Sequence, residues 1–401
     1  MSPEVIKKKF ESDNFMNNKQ PKILLLIITL FWFTQYIHIP FQTVYLSTLN
    51  ISSQMIGIII GVYGIAQLAL RIPVGISADR NGNHKLFIII GMLAAFLGAL
   101  FRVMMPNGIG FFIANLLSGI ASAMWISFMV LYTNFFSKDE QRIATTRAIL
   151  ANAIGLLLAF ISSTVLYHAL GMVYINALGI ITGMIGLSFA LTLEKVEPKL
   201  DILPVSALLS VLKNKKLILF SGLALVKFGV QIATVMSFTS HILRDLEAGN
   251  IWIGGSTIIF MVSSVIFARI ASTKSFVSRF SRKLLIPTIF GALTIYCILI
   301  PNSVFIWQIF ILQTLPGLAS GVLIALLTAE AMSEIPLEKK STAMGCFQAI
   351  YAIGMTLFPA ISGALAQIWS MKYAFYFLAA TCFIATLIVI SYYKSVARSY
   401  H

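Results

Sequence analysis

The stretch Gly75-Ile-Ser-Ala-Asp79-Arg80-Asn-Gly82-Asn-His-Lys85 joins two long apolar segments and is the shortest charged connection in the first half of the chain. Gly75 and Gly82 permit close packing and a turn. Arg71, Gly75 and Asp79 are spaced by four residues, so they lie on one side of the incoming helix. A carboxylate at such a helix end can face the positive end of another helix. The stretch therefore predicts two long helices joined by a short, charged turn.

The composition of the whole chain is that of a membrane protein. Of 401 residues, 58% are hydrophobic and 11% are charged, and the mean hydropathy is +0.90. Repeated apolar runs of about 20 residues indicate membrane-spanning helices, because backbone polar groups must pair internally in lipid. The net charge of +15 lies in the connections. This positive charge therefore reflects the orientation of the chain in the membrane and its contact with anionic lipids, and we expect no nucleic acid as a partner.

Catalytic and metal-binding patterns do not emerge from this sequence. Cys297, Cys346 and Cys382 all fall inside apolar runs, without the spacing of a redox or metal site. No phosphate-binding loop and no pairing of a nucleophile with a base is recognisable. We expect a protein that is not an enzyme and that carries no cofactor or metal.

Twelve apolar spans are predicted, each near the roughly 20 residues needed to cross a bilayer. Throughout, they are called the first to the twelfth segment. They cover residues 22–46, 54–78, 86–105, 109–135, 144–167, 171–193, 217–241, 251–271, 284–301, 303–330, 341–366 and 373–393.

The distribution of Lys and Arg predicts the orientation. With the amino terminus inside, 24 of the 29 Lys and Arg residues lie on the cytoplasmic side and three lie outside, namely Arg102, Arg244 and Lys372. Arg71 and Lys227 remain within spans. This bias predicts that both termini are cytoplasmic.

The longest internal connection divides the spans into six and six. We predict a disordered cytoplasmic tail, two six-helix bundles with a linker between them, and a second tail, over residues 1–21, 22–193, 194–216, 217–393 and 394–401. Within the linker, Leu203 to Leu212 is typical of a short amphipathic helix at the membrane surface.

Short internal matches indicate that the two halves are repeats. Ala-Ile-Gly at 153–155 recurs at 352–354, and Ser-Gly-Ile-Ala-Ser at 118–122 recurs as Pro-Gly-Leu-Ala-Ser at 316–320. The two offsets are 199 and 198 residues. Parallel halves with a site between them near the bilayer midplane are one plan of secondary transporters.

Polar residues within the spans are the candidates for a binding site, because they are costly in lipid. The first segment carries Gln35, His38 and Gln42 on one helical face, and the seventh carries Lys227, Gln231 and Thr234 on one face. Two polar stripes on corresponding segments are what a water-filled substrate path requires. Inward-facing candidates on the fourth and eleventh segments are Asn115 and Gln348.

Lys227 lies about ten residues into its span, which is roughly 15 Å of helix rise and too far for most Lys side chains to reach the surface. A charged Lys at that depth costs about 2.5–3.5 kcal/mol on insertion scales. A solvated cavity, an anionic substrate or a carboxylate must offset that cost, and Glu330 is the nearest acid to the interior of a span. For Arg71, pairing near Asp79 and contact with substrate are both open. His38 either titrates near neutral pH or only forms hydrogen bonds.

The connection at 75–85 resembles the loop between the second and third helices of the major facilitator superfamily. Gly75, Asp79, Arg80 and Gly82 match the family pattern, whereas Asn83 stands where the family usually has Arg. The resemblance covers about residues 22–393 and implies an all-α membrane fold of twelve helices in two pseudo-symmetric bundles. It also implies gating by Gly75, Asp79, Arg80, Gly82 and Arg71, with Asp79 docking near Ser341 and Thr342.

Features typical of proton-driven drug exporters in that family are missing here. Asn115 stands four residues before Gly119, where those exporters carry Arg, and Gly155 is followed by Leu156 instead of Pro. The carboxylate of their first helix is also missing. These departures disfavour a drug–proton antiporter without excluding it.

The sequence as a whole predicts a secondary transporter that works by alternating access. The cations in the spans favour an anionic or zwitterionic small molecule, with a proton or ion as a possible coupling partner. We expect a monomer in the bacterial cytoplasmic membrane, surrounded by lipid. The alternatives are a multidrug exporter, a flippase for lipid-linked substrates, and a receptor on a transporter scaffold.

Overall fold

The computed structural model describes residues 19–81, 83–136, 141–194, 210–271, 281–335 and 340–398. The side chains of 75, 76, 78–81, 141–143, 145, 146, 340–342 and 396–398 lie outside that description. Sixteen α-helices run through these ranges. Their bounds are Lys19–Tyr36 (α1), Gln42–Thr48 (α2), Ser53–Asn81 (α3), His84–Met104 (α4), Gly108–Ala123 (α5), Trp125–Asn134 (α6), Gln141–Leu191 (α7), Lys215–Ala233 (α8), Thr239–Asp245 (α9), Asn250–Ala271 (α10), Arg282–Leu299 (α11), Ile306–Leu312 (α12), Thr314–Leu318 (α13), Ile324–Met332 (α14), Lys340–Ile368 (α15) and Met371–Arg398 (α16).

Several of these helices begin at a residue that caps their free backbone N–H groups. Asn83, Asn107 and Asn214 accept hydrogen bonds from backbone N–H groups three residues further on, at 2.8–3.2 Å. Ser281 accepts from the backbone of Lys283. Asn and Ser are favoured at this position because their oxygens replace the missing helical partner. The local sequence thus fixes where the third, fourth, seventh and ninth segments start.

Eleven helices in the described ranges are long and apolar enough to cross a membrane. One of them, Gln141–Leu191, is interrupted at Gly171, whose φ of 76° and ψ of 180° are not helical. Ala151 and Thr182 both hydrogen-bond to the first segment, at Thr29 and Thr34. In one straight helix those partners would be about 46 Å apart. The chain therefore doubles back at Gly171, which is consistent with the predicted twelve spans.

Helical breaks occur at corresponding places in the two halves. The first segment is interrupted by a 3₁₀ turn at Ile39–Phe41, and the seventh by a π-helical turn at Thr234–Phe238. The fourth segment breaks between Ala123 and Trp125, and the tenth has a π-helical turn at Ala319–Leu323. Each pair is separated by about the 198-residue offset of the internal matches. Such turns inside helices occur frequently at functional sites.

The eleventh segment packs closely against both the second and the seventh. A Cβ atom on Gly61 would lie 2.5 Å from the carbonyl oxygen of Thr356, and one on Gly354 would lie 2.1 Å from that of Leu225. Only glycine allows backbones this close, as is common between helices in membranes. These contacts join segments that the sequence assigns to different halves.

The predicted division into tails, bundles and linker stays a prediction. Of the expected surface helix at Leu203 to Leu212, the structure describes only the last residues, which belong to a 3₁₀ turn at Ser210–Lys213. The remainder lies outside the described residues.

Candidate functional site

A small cavity of about 40 Å³ lies between the first, second, fourth and seventh segments. It has room for a few water molecules, since each needs roughly 10–15 Å³ by this measure. Its polar lining consists of Gln35, His38, Gln42, Asn115 and Ser118. Tyr36 and Tyr63 line it with aromatic rings, and Ile232 and Met236 of the seventh segment close it from the other half. The cavity is therefore built by residues that are far apart in the sequence.

The three polar residues predicted on the first segment do lie together at this cavity. Gln35, His38 and Gln42 are at most 3% exposed. Gln35 donates from Nε2 to the backbone oxygen of Ser118 at 2.9 Å and to Oγ of Ser122 at 3.2 Å. The 3₁₀ turn at Ile39–Phe41 lies between His38 and Gln42, and it turns the chain while both residues still line the cavity.

Behind the cavity wall lies a buried guanidinium that the sequence interpretation did not count among the site residues. Arg102 is counted in the sequence among the cations outside the membrane, but only 1% of it is exposed. Its Nη2 donates to Oδ1 of Asn115 at 2.8 Å and to Oγ of Ser118 at 3.0 Å. Asn115 in turn donates to the carbonyl of Ile59 at 2.8 Å. Arg102 thus positions two residues of the cavity wall and places a positive charge behind them.

The predicted residues of the seventh segment form a separate hydrogen-bonded group. The ammonium of Lys227 donates to Oε1 of Gln231 at 2.5 Å and to Oγ of Ser320 at 3.1 Å. Ser320 also donates to Gln231 at 2.8 Å. The ammonium lies 3.9 Å from the ring centroid of Phe228. Thr234 bonds back to the carbonyl of Val230 in its own helix. Lys227, Gln231 and Ser320 therefore form the group, and Thr234 does not take part in it.

Arg71 is buried where the second and eleventh segments meet. It donates to Oε1 of Gln67 and, at 3.3 Å, to the backbone oxygen of Gln348. Its guanidinium carbon lies 4.8 Å from the centroid of the Tyr351 ring. That ring stacks on Phe228 with a centroid distance of 4.2 Å. A stacked aromatic pair therefore connects Arg71 with the neighbour of Lys227, and Gln348 takes part through its backbone.

Carboxylates do not neutralise these three cations within the part of the chain that the structure describes. Glu330, the candidate nearest to the interior, pairs with Lys216 at 3.1 Å and with Arg282 at 3.4 Å. Lys216 also lies 3.6 Å from Glu334. Neutral oxygens and aromatic rings are the described partners of Arg71, Arg102 and Lys227. Among the described residues, no group of three or more metal-binding side chains is found either.

The predicted gating residues are described only in part. Arg71 makes the contacts given above, whereas the side chains of Gly75, Asp79 and Arg80, and all of Gly82, lie outside the described residues. The side chains of Ser341 and Thr342, the predicted docking place of Asp79, also lie outside them. The latch between them stays a prediction.

A polar contact joins the first and seventh segments beyond the cavity. The hydroxyl of Thr43 lies 2.8 Å from the backbone oxygen of Ser237 and 2.6 Å from Oγ of Ser240. Ser240 itself donates to the oxygen of Ser237 at 2.6 Å. All three residues are buried. The contact follows Gln42 in the first segment, on the way to the end of the molecule that carries residues 49–52.

Long apolar helices around a buried polar site define a multi-pass membrane protein with a place for a small ligand. The chain matches the profile of the Major Facilitator Superfamily over residues 24–301 and again over 274–399. It belongs to this superfamily of membrane transporters.

Proteins and solved structures that are similar to this chain include transporters. An uncharacterised MFS-type transporter of Methanocaldococcus jannaschii, MJ1560, is 25% identical over 82% of this chain and 86% of its own length. The multidrug resistance protein MdtG of Proteus mirabilis is 30% identical over 37% of each chain. A crystal structure of a variant of the nucleoside transporter NupG has a TM-score of 0.76 at 15% identity, covering 93% of this chain and 98% of that one. At this identity the structural likeness concerns the fold alone.

Proposed function

We propose that the protein is a secondary active transporter that carries a small organic anion or zwitterion by alternating access. In this proposal the chain lies in the cytoplasmic membrane with both termini on the cytoplasmic side. The coupling partner is a proton or another ion. The site comprises the cavity and the adjacent groups around Lys227 and Arg71.

The observation that carries the proposal is a set of buried cations that have no carboxylate partner among the residues that the structure describes. Arg71, Arg102 and Lys227 are each at most 5% exposed, and their described partners are neutral. Intramembrane cations of this kind are costly and mark substrate or ion pathways. A passing anion would supply the missing negative charge, whereas a cation would add to the repulsion. The charge balance therefore supports an anionic or zwitterionic substrate.

The contacts at the two ends of the bundle support alternating access. Thr43 joins the first and seventh segments at one end, and Arg71 joins the second and eleventh toward the other. If each end opens in turn, one of these contacts must break while the other holds, which shifts the population between two states. We further propose that Asp79 latches the end that carries Gly82. Asp79→Ala should then leave folding intact and abolish net flux, and normal flux in this variant would contradict the latch.

The experiment that tests the proposal is thermal unfolding of the purified protein in detergent against small anions, cations and neutral molecules. A ligand at about 100 times its Kd should stabilise the protein by about 2.7 kcal/mol. We expect anions to raise the Tm, and we expect Lys227→Met to lose most of that shift. The matched control is Lys372→Met, because Lys372 is exposed. Equal anion shifts in the wild type and Lys227→Met would contradict the role of Lys227.

A second candidate is a proton-coupled multidrug exporter, which the similarity to MdtG favours. Such a protein should bind lipophilic cations. If these raise the Tm and anions do not, the exporter becomes the better proposal.

A further inference from the structure

Three buried atoms at one cavity have no hydrogen-bond partner within the described residues. They are Oε1 of Gln35, Nδ1 of His38 and Oε1 of Gln42. All three side chains line the cavity and are almost fully buried. Buried polar atoms are nearly always paired, so a group of unpaired ones in a single cavity indicates a missing partner. The unpaired atoms show which chemical groups that partner must present.

The orientation of Gln35 is fixed by its neighbours. Its amide nitrogen faces the backbone oxygen of Ser118, which can only accept a hydrogen bond. Exchanging the amide oxygen and nitrogen would place two acceptors against each other. Oε1 of Gln35 is therefore a true acceptor, and its partner must be a donor.

Ser118 provides the opposite function at the same cavity. Its Oγ accepts a hydrogen bond from Arg102 at 3.0 Å, which leaves the hydroxyl hydrogen free to donate. No acceptor for that hydrogen is found among the described residues. The nearby guanidinium polarises the hydroxyl and makes it a stronger donor. The cavity thus offers an acceptor at Gln35 and a donor at Ser118.

Hydroxyl groups fit this arrangement better than charged groups do. One hydroxyl donates and accepts from a single atom, so it can satisfy Gln35 and Ser118 together. An ammonium group only donates and is repelled by Arg102 behind the wall. A carboxylate or phosphate only accepts, and it would face the lone pairs of the Gln35 oxygen. Water can occupy the cavity in the same way, and a substrate hydroxyl would replace it.

We propose that this cavity binds the hydroxyl-bearing end of the transported molecule, which makes the substrate a hydroxylated organic anion such as a sugar acid or a sugar phosphate. The anionic part of this statement rests on the proposed function. The small volume of about 40 Å³ admits the end of such a molecule while its charged group stays near the cations outside. Gln35, Gln42 and Ser118 are then specificity-determining residues.

The test compares ligands that differ in hydroxyl groups and charge separately. Gluconate, glycerate and glucose 6-phosphate carry both features, hexanoate carries only the charge, and sorbitol carries only the hydroxyls. Binding to the purified full chain is measured by calorimetry and thermal shift. We expect at least one hydroxylated anion to bind, and to bind about tenfold or more tightly than hexanoate, because a site built to pair a hydroxyl rejects analogues that lack it.

The outcomes separate this inference from the proposed function. Hexanoate that binds as tightly as the hydroxylated anions would overturn the hydroxyl site and leave anion transport standing. Sorbitol that binds as tightly as gluconate would support the hydroxyl site and overturn the anionic substrate. No binding by any of the three hydroxylated anions overturns the inference.

Variants then assign the preference to the cavity. Gln35→Leu should lose the preference for hydroxylated anions, with Gln42→Leu as a second variant if the first does not fold. Gln313→Leu is the matched control, because Gln313 is fully buried, also has an unpaired amide atom, and lies away from the cavity lining. Loss of the preference in Gln313→Leu alone, with Gln35→Leu and Gln42→Leu unaffected, would overturn the assignment.

Discussion

The first and seventh segments have the same kind of polar stripe but use it differently. Gln35, His38 and Gln42 line a cavity, and each has a buried atom without a hydrogen-bond partner among the described residues. Lys227 and Gln231, in contrast, are bonded to each other and to Ser320. Polar atoms without a partner are available to bind a ligand. The hydrogen-bonded group keeps the ammonium of Lys227 in position when no ligand is bound. Corresponding helices in a repeated fold can therefore divide recognition and charge between them.

The largest effect on stability should come from breaking the paired group on the seventh segment. Gln231→Leu removes the closest acceptor of Lys227 and leaves its ammonium with Ser320 and the ring of Phe228. Because a buried donor loses its partner, we expect a loss of about 1–3 kcal/mol in unfolding free energy. Thermal unfolding in detergent measures this loss.

A double substitution sharpens the same point. If the loss comes from the stranded ammonium, Lys227→Met should recover most of it in the Gln231→Leu background. Strictly additive losses from the two substitutions would show that the two side chains act independently. That result would contradict the interpretation of Lys227 and Gln231 as one paired group.

An intermediate effect is expected at Thr43, where the two segments touch. Thr43→Val keeps the shape of the side chain but removes the hydroxyl that contacts Ser237 and Ser240. The loss of one buried hydrogen bond should cost about 0.5–1.5 kcal/mol and favour opening at that end. The accessibility of cysteines introduced at the ends of the first and seventh segments that lie beyond Thr43 and Ser240 reports the opening. Thr48→Val is the control, since within the described part of the chain the Thr48 hydroxyl bonds to Tyr45 of its own helix and to no other segment. An equal effect there would exclude a specific contact.

The smallest effect on stability should come from His38. His38→Leu removes a buried nitrogen that has no hydrogen-bond partner in the described ranges. We therefore expect the unfolding free energy to change by less than about 1 kcal/mol, because no hydrogen bond is lost with this nitrogen. Ligand binding should weaken in the same variant. A large loss of stability without ligand would show that His38 has a structural partner and that the first segment resembles the seventh after all.

The family, the fold class and part of the cavity lining could be predicted from the sequence. Apolar runs of membrane length predict the spans, and helical spacing predicts that Gln35, His38 and Gln42 share a face. Asn115 joins them at the cavity, as its inward position in the fourth segment suggested. These features depend on periodicity, which is local information. Whether a polar atom has a partner depends on packing between segments, which periodicity does not contain.

Arg102 shows where the sequence interpretation reached its limit. It lies at the end of an apolar run just before Pro106, where an Arg can equally well extend to the membrane surface or fold back into the bundle. The signal that could have distinguished these cases is on a different segment. Asn115 and Ser118 are spaced by three residues, so they present two oxygens on one face to a single guanidinium. Gln67, the partner of Arg71, was missed for the same reason.

The reversal at Gly171 has a consequence for the chemistry of the backbone. With φ at 76° and ψ at 180°, the residue occupies a region that is essentially closed to L-amino acids other than glycine. Apart from its own chain neighbours, no atom of the described residues lies within 4 Å of the place where the Cβ of an L-residue would stand. The backbone conformation, and not a lack of space, therefore restricts this position to glycine. The mirror image of this conformation is ordinary extended backbone. A D-alanine introduced at this position by semisynthesis should adopt this backbone conformation without the penalty that an L-residue meets. It should stabilise the hairpin by about 0.4–1 kcal/mol, because it restricts the unfolded chain.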